Sequence, residues 1–400
     1  MYVGVVFIKR SSKIFRVIVL MLILLTCICL AGCFQIFRTE PMTDRDIKNS
    51  VYKHYDITAE NVKLIGRSEM IDSVRYFSMS GSGIEFLCKG KYVEITLTGD
   101  SYNSSHRPRI GIYLNGQLIF DEQIVYDEFG YKTYRIDIND YNNGGVIKVV
   151  KLSEAMFSSF GISRVSAFSV KDIRPTKPRE LKIEFIGDSI TCGYGVDEQN
   201  PYGHFSTATE NFTKTYAYLT ANSLNADYSA VSFSGYGVYS GFTNGGRNYE
   251  DVISNVLDKS VILPDKVNYN WDFSLYQPEL VVINLGTNDA SYCSKSFLHR
   301  DEFRKEYVQL LKTLRFRYPD AYLLCILGNV NDSMYSEIQN AVSDFKAECT
   351  DTRAMSAQID FAMDKYPAVI DGHPGELSNL SASADLYRII QQLINSGELL

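Results

Sequence analysis

Apolar and polar residues alternate with a period of two along Tyr92-Val93-Glu94-Ile95-Thr96-Leu97, which predicts a strand with one buried face. Arg109-Ile110-Gly111-Ile112-Tyr113-Leu114 reads the same way and runs into Asn115-Gly116, a pair whose tolerance of positive φ suits a two-residue hairpin turn. Gln117-Leu118-Ile119-Phe120 then returns. Tyr134-Arg135-Ile136-Asp137-Ile138 and Val146-Ile147-Lys148-Val149-Val150 repeat the theme on either side of Asn142-Asn143-Gly144-Gly145. Residues 56–170 thus hold short strands and turn signals with no helical period, and they predict an all-β sandwich.

The texture changes after a charged stretch with Pro175 and Pro178, read as a linker over residues 171–182. Ile183-Glu184-Phe185-Ile186 opens a second pattern. Leu280-Val281-Val282-Ile283-Asn284-Leu285 and Tyr322-Leu323-Leu324-Cys325-Ile326-Leu327 are near-continuous apolar runs, as expected of parallel strands covered on both faces. Phe303, Tyr307, Leu310, Leu311 and Leu314 fall on one helical face, and Leu386, Ile389, Ile390 and Leu393 on another. Strands alternating with amphipathic helices predict a three-layer α/β domain with a parallel sheet over residues 183–400.

At the N-terminus, Lys9, Arg10, Lys13 and Arg16 precede an apolar run, Val17–Leu30, shorter than the roughly 20 residues a membrane-spanning helix needs. A basic head, an apolar core and small residues after it make a secretory signal over residues 1–32, followed by a tether over 33–55. Its ending, Leu30-Ala31-Gly32-Cys33, resembles the bacterial lipoprotein signal. That resemblance implies a diacylated Cys33 and a secreted protein anchored by lipid to a membrane, at the bacterial cell surface or in the periplasm. Losing residues 1–32 removes four of 40 Lys+Arg and none of 47 Asp+Glu, so the net charge moves from −7 to −11. Such a surface repels nucleic acid. Past Cys33, Cys88, Cys192, Cys293, Cys325 and Cys349 show neither CxxC spacing nor clustering with His, so no zinc site and no disulfide framework is predicted.

The candidate chemistry begins where the first α/β strand ends, at Gly187-Asp188-Ser189-Ile190-Thr191. A Ser at the C-terminal edge of a buried parallel strand stands where open α/β sheets bind ligands. It would serve equally as the N-cap of an ordinary strand-to-helix turn. Three further blocks decide for chemistry: Ser234-Gly235, Gly286-Thr287-Asn288-Asp289, and Asp371-Gly372-His373-Pro374 before the last helix. Acyl transfer needs a hydroxyl activated by a base, and an imidazole supplies that near neutral pH. It also needs preorganised donors for the oxyanion of its tetrahedral intermediate.

In that order, Ser189, Gly235, Asn288 and His373 resemble the four blocks of the SGNH (GDSL-type) hydrolase superfamily. The resemblance implies Ser189 as nucleophile and His373 as general base. It implies an oxyanion hole made by the backbone N–H groups of Ser189 and Gly235 and the side-chain amide of Asn288. The superfamily places an acid three residues before the base; here that position is Ile370, and the acid is Asp371, two before His373. Asp371 is read as the third triad member, with a backbone carbonyl as the alternative partner for the ring.

The segment Ile183-Glu184-Phe185-Ile186-Gly187-Asp188-Ser189-Ile190-Thr191-Cys192-Gly193-Tyr194-Gly195 is similar to the nucleophile block of family 2 carbohydrate esterases. Thr209-Glu210-Asn211-Phe212, Ser80-Gly81-Ser82-Gly83-Ile84-Glu85-Phe86 and Val150-Lys151-Leu152-Ser153-Glu154 are similar to other segments of that family. The likeness extends over roughly residues 65–395. It implies a jelly-roll sandwich ahead of the hydrolase domain, chemistry without a metal or other cofactor, and removal of O-acetyl groups from a polysaccharide or oligosaccharide of the xylan or glucomannan type. The same residues would also serve a cell-wall or sialic acid O-acetylesterase or a lipase, and a decayed copy would be a carbohydrate-binding surface lipoprotein. Tyr194, Tyr236 and Trp271, near the motif loops, are candidates to stack on sugar rings and equally to be core or loop anchors.

Overall fold

In the computed structural model, which describes residues 48–101, 104–138, 144–263 and 268–399, the alternating segments pair into two facing sheets. The signal sequence and Cys33 lie outside the described residues. The strands are β1 (Val51–Tyr55), β2 (Lys63–Ile65), β3 (Glu69–Ile71), β4 (Val74–Phe77), β5 (Gly83–Cys88) and β6 (Gly90–Ser101). There follow β7 (Arg109–Leu114), β8 (Gln117–Gln123), β9 (Lys132–Asp137), β10 (Gly145–Lys151), β11 (Ser158–Ser169) and β12 (Arg174–Pro175). One sheet runs β3-β4-β11-β6-β9 with β1 beside β11, the other β12-β5-β10-β7-β8 with β2 beside β5. Inward side chains of both, among them Val93, Ile95, Phe160, Phe86, Ile112 and Ile147, are fully buried in one core. At the β7–β8 hairpin Leu114 faces Gln117 across Asn115 (φ 52°) and Gly116 (φ 82°). Two left-handed residues in a row match the natural twist of the strands they join.

Both ends of the sandwich are longer than the sequence pattern suggests. The tether expected over residues 33–55 ends early, because Val51–Tyr55 pairs along β11 and buries Tyr55. The expected linker gives Arg174–Pro175 to the edge of the second sheet against β5, and an edge is where a strand tolerates a proline that cannot donate.

The second half builds a five-stranded parallel sheet in the order β14-β13-β17-β18-β19. Here β13 is Lys182–Gly187, β14 Asp227–Ser232, β17 Leu280–Asn284, β18 Tyr322–Gly328 and β19 Ala354–Ile359; β15 (Lys259–Ile262) and β16 (Asn268–Asn270) form a separate hairpin. The helices are α1 (Ser189–Cys192), α2 (Tyr216–Ser223), α3 (Ala290–Cys293), α4 (Phe297–Arg317), α5 (Tyr335–Cys349) and α6 (Glu376–Asn395). Successive residues of the central strands go to opposite faces. Val281, Ile283, Leu323 and Cys325 meet Phe303, Tyr307 and Leu311 of α4 and Phe345 of α5. Val282, Leu324 and Ile326 meet Tyr216 of α2 with Leu386 and Ile390 of α6. Three layers result, as the two helical stripes predict. The first strand, β13, sits inside the sheet with the second on one side and the third on the other. The order in which strands are laid down therefore reverses between β13 and β17, opening a crevice at their carboxyl ends.

The sandwich is joined to this sheet by buried charge. Arg67, which follows β2, is fully buried and donates to Glu184 Oε1 on β13 at 2.8 Å and to the Leu257 carbonyl at 2.6 Å. The Tyr318 hydroxyl also donates to Glu184. Arg109 on β7 bridges Asp121 of the sandwich and Asp197 of the second half, each at 2.7 Å. Arg67→Ala is expected to lower the unfolding free energy by about 3–5 kcal/mol, since Glu184 would stay buried without its counter-charge. A urea melt reads this as a lower midpoint at unchanged slope. A loss under about 1 kcal/mol would reduce the pair to the worth of an exposed one.

Candidate active site

The crevice at the switch point is where the motif residues meet. Ser189 opens α1 directly after β13, and the Asp188 carboxylate caps that turn by accepting from the Ile190 N–H at 3.0 Å. Gly187 admits the turn because a Cβ there would lie 2.1 Å from the Thr191 hydroxyl oxygen. His373 arrives from the loop before α6, 184 residues away in sequence, and its Nε2 lies 2.7 Å from Ser189 Oγ.

The ring's other nitrogen does not face a carboxylate. Nδ1 lies 3.2 Å from the Ile370 carbonyl oxygen. A carbonyl only accepts, so Nδ1 carries the proton and Nε2 is left to accept from the serine hydroxyl. Asp371 and Gly372 are both left-handed, at φ 49° and 75°, and this double turn carries the Ile370 carbonyl beneath the ring. Asp371, expected as the third triad member, instead accepts from the Tyr194 hydroxyl at 2.9 Å. It does not cap α6 either; Gly375 holds that position. Burial pushes the His373 pKa below its ordinary value of 6.5, while the Ile370 carbonyl and the nearby charge of Asp371 pull the other way.

Opposite the pair, Gly235 is held at φ +81°, where a side chain is strained, and a Cβ would meet nothing within 4 Å because the residue borders open space. The glycine answers to the backbone rather than to crowding by protein. Among the described residues no acceptor takes the N–H of Ser189 or of Gly235. Asn288 follows β17, and its amide donates to the Tyr236 carbonyl at 2.8 Å and to Asp188 Oδ2 at 3.3 Å. The neighbouring Asp289 is fully buried and accepts from the N–H groups of Val238, Tyr239 and Ser240. Burial pushes Asp289 up to about 6 and Asp188 up to about 7, the latter also through the charge of Asp289. A cavity of about 740 Å³ opens over Ser189, His373, Gly235 and Asn288, with Tyr194 and Phe242 on its walls. An activated hydroxyl beside unspent N–H donors in such a space can attack a carbonyl and hold the resulting charge.

Residues 185–362 match the model of the GDSL-like Lipase/Acylhydrolase family. The chain carries a GDSL-like acylhydrolase domain. In sequence, the domain resembles the cellulase/esterase CelE of Acetivibrio thermocellus, at 37% identity over 44% of this chain and 20% of that protein. The chain thus spans a fifth of the length of that relative. In structure, an acetyl xylan esterase from Butyrivibrio proteoclasticus superposes with a TM-score of 0.78 at 19% identity, over 86% of this chain and 99% of that one. A family two carbohydrate esterase from Clostridium thermocellum, in complex with cellohexaose, gives 0.72 at 25% identity, over 84% and 99%. Both superpositions take in the sandwich as well as the acylhydrolase domain.

Of the three aromatic candidates, only Tyr194 reaches the acylhydrolase cavity. Its ring stacks on His373 at 4.4 Å and on Phe205 at 4.1 Å, and Phe205 packs against Phe157 of the sandwich. Tyr236 packs on Phe233, and Trp271 lies beside the Arg67 guanidinium. The backbone carbonyl that the sequence offered as the alternative partner for the ring is that of Ile370, and sequence reasoning missed Glu154, whose Oε2 accepts from the Ser234 N–H at 2.9 Å. A buried glutamate 80 residues from its partner leaves no local signal. Glu154, Cys192 and Glu210 are, among the described residues, the one grouping with metal-ligand spacing, their donor atoms lying within 4.8 Å of one another. They lie behind the cavity, not on its wall.

Proposed function

We propose that this chain is a carbohydrate O-acetylesterase that works through a Ser189–His373 dyad. The 2.7 Å contact between Ser189 Oγ and His373 Nε2, at the switch point of the sheet, carries this reading. As Oγ attacks the acetyl carbonyl, Nε2 takes its proton, and the charge that grows on Nδ1–H is stabilised by the Ile370 carbonyl. The oxyanion falls to the Ser189 and Gly235 N–H groups and the Asn288 amide. His373 then returns the proton to the departing sugar oxygen, leaving an acetyl-enzyme that water clears by the same steps reversed. An acetylated polysaccharide of the xylan or glucomannan type is the proposed substrate, supported by the names of the relatives and by the cellohexaose held by a structural neighbour. Secretion and a lipid anchor at Cys33 are part of the proposal and rest on the Leu30-Ala31-Gly32-Cys33 sequence. Acetate release by the purified chain from acetylated xylan, glucomannan and peptidoglycan tests the reading. Turnover of none of them, nor of p-nitrophenyl acetate, would overturn it.

The pH profile follows from the surroundings of His373. The base must be neutral, and burial lowers its pKa, so the acid limb of kcat/KM is expected below the ordinary imidazole value of about 6.5. Asp371→Asn removes a charge that favours the imidazolium, so the limb should move further toward acid. Because the Ile370 carbonyl holds the ring, kcat should fall tenfold or less, about 1.4 kcal/mol of barrier. A loss near the ten-thousandfold known for an acid that selects the tautomer would restore Asp371 to a triad.

A further inference from the structure

Glu154 and Glu210 have no place in the chemistry above, yet both are fully buried. Glu154 belongs to the sandwich, in the turn between β10 and β11, and Glu210 lies in the segment leading to α2. The turn is fastened at several points: the Leu152 N–H donates to the Arg109 carbonyl at 2.8 Å, the Leu152 carbonyl accepts from Phe212, and Lys151 Nζ reaches the Ser153 and Glu154 carbonyls at 2.7 Å. Glu210 Oε2 accepts from the Glu154 N–H at 2.9 Å. The two carboxyls are close, and each keeps one oxygen, Oε1, with no partner among the described residues. Burial pushes both carboxyls upward, Glu210 also through the charge of Glu154, while the nearby charge of Lys151 pulls both the other way.

The other oxygen of Glu154 faces the active site. Oε2 accepts from the Ser234 N–H at 2.9 Å and lies 3.8 Å from the Cys192 sulfur at the end of α1. Ser234 is the residue before Gly235, and α1 is the turn that begins with Ser189. On the far side of Gly235, its carbonyl accepts from the Phe242 N–H at 2.7 Å. One carboxylate oxygen therefore holds, from behind, the backbone that leads into Gly235, and through the Cys192 thiol it meets the turn that begins with Ser189.

We propose that Glu154 is a positioning residue, supplied by the sandwich and braced by Glu210, that sets the Ser189 and Gly235 N–H groups to the spacing an oxyanion needs. This rests on the esterase reading of the site. Donor placement matters steeply, since an error of about 1 Å at a reacting centre can cost on the order of a hundredfold. The sandwich is then more than a flanking module, because it completes the machinery it sits beside.

Three variants test this on the full chain. Glu154→Gln keeps the length and one acceptor oxygen, and should retain kcat for p-nitrophenyl acetate within a few-fold. Glu154→Asp keeps the acid but draws it back by one methylene, out of reach of Ser234, and should lower kcat about tenfold or more at unchanged KM. Glu154→Ala should lose at least as much; should it fail to fold, Glu154→Asp still decides. Backbone hydrogen exchange should show the Ser234 amide protected in wild type and Glu154→Gln and faster in Glu154→Asp, a readout that does not depend on turnover. Full kcat in Glu154→Asp, or a loss shared equally between kcat and the folded fraction, overturns the proposal while the wild type remains an esterase. A wild-type chain without esterase activity overturns the esterase reading, and this one with it.

Discussion

Ser189→Ala should leave a folded chain with no esterase activity above background. The hydroxyl is a single small group on a residue only 7% exposed, and its removal leaves the capping bond from Ile190 to Asp188 in place. What vanishes is the hydroxyl 2.7 Å from His373 Nε2 that the imidazole would activate. Loss of such a nucleophile costs about a millionfold in kcat, or about 8 kcal/mol of barrier. An unchanged thermal midpoint with acetate release gone is the expected pair of results. Retention of more than a few per cent of activity would place the chemistry elsewhere.

Asn288→Ala should lower kcat by about a hundred- to a thousandfold, some 2.7–4 kcal/mol, with little change in KM. Its amide is oriented before substrate arrives, by the Tyr236 carbonyl at 2.8 Å and more loosely by Asp188 at 3.3 Å. On the proposed mechanism the longer contact is the one a developing oxyanion would displace, since it is the weaker of the two. A transition-state donor acts on kcat. A rise in KM at constant kcat would make Asn288 a substrate-binding residue instead.

The parts of this molecule that depend on local pattern were legible in its sequence. Asn115-Gly116 specifies its hairpin through backbone sterics, and the apolar run Leu280–Asn284 fits a parallel strand covered on both faces, as it is. The order of Ser189, Gly235, Asn288 and His373 marked the site because each stands at or beyond a strand end. The partner of the base was less accessible. Asp371 looked right by residue type and proximity, but a left-handed residue turns its side chain toward Tyr194 and gives the ring to a carbonyl that has no residue-specific signature. The buried pair of Glu154 and Glu210 was hidden for another reason. Its members are 56 residues apart, and only the packing of sandwich against sheet brings them together.

The double left-handed turn before His373 also bears on how this site tolerates change. A carbonyl is common to every amino acid, so no exchange of side chain at position 370 deletes the group that holds the imidazole. What inheritance must preserve at 371 and 372 is handedness, not chemistry. Asp, Asn and Gly all accept it, whereas a β-branched residue at 371 would pay about 1–2 kcal/mol to enter that region and would tend to swing the carbonyl away. Catalysis here is open to drift in side-chain type and closed to drift in backbone shape, and a pattern search for an acid partner of the base would be blind to both.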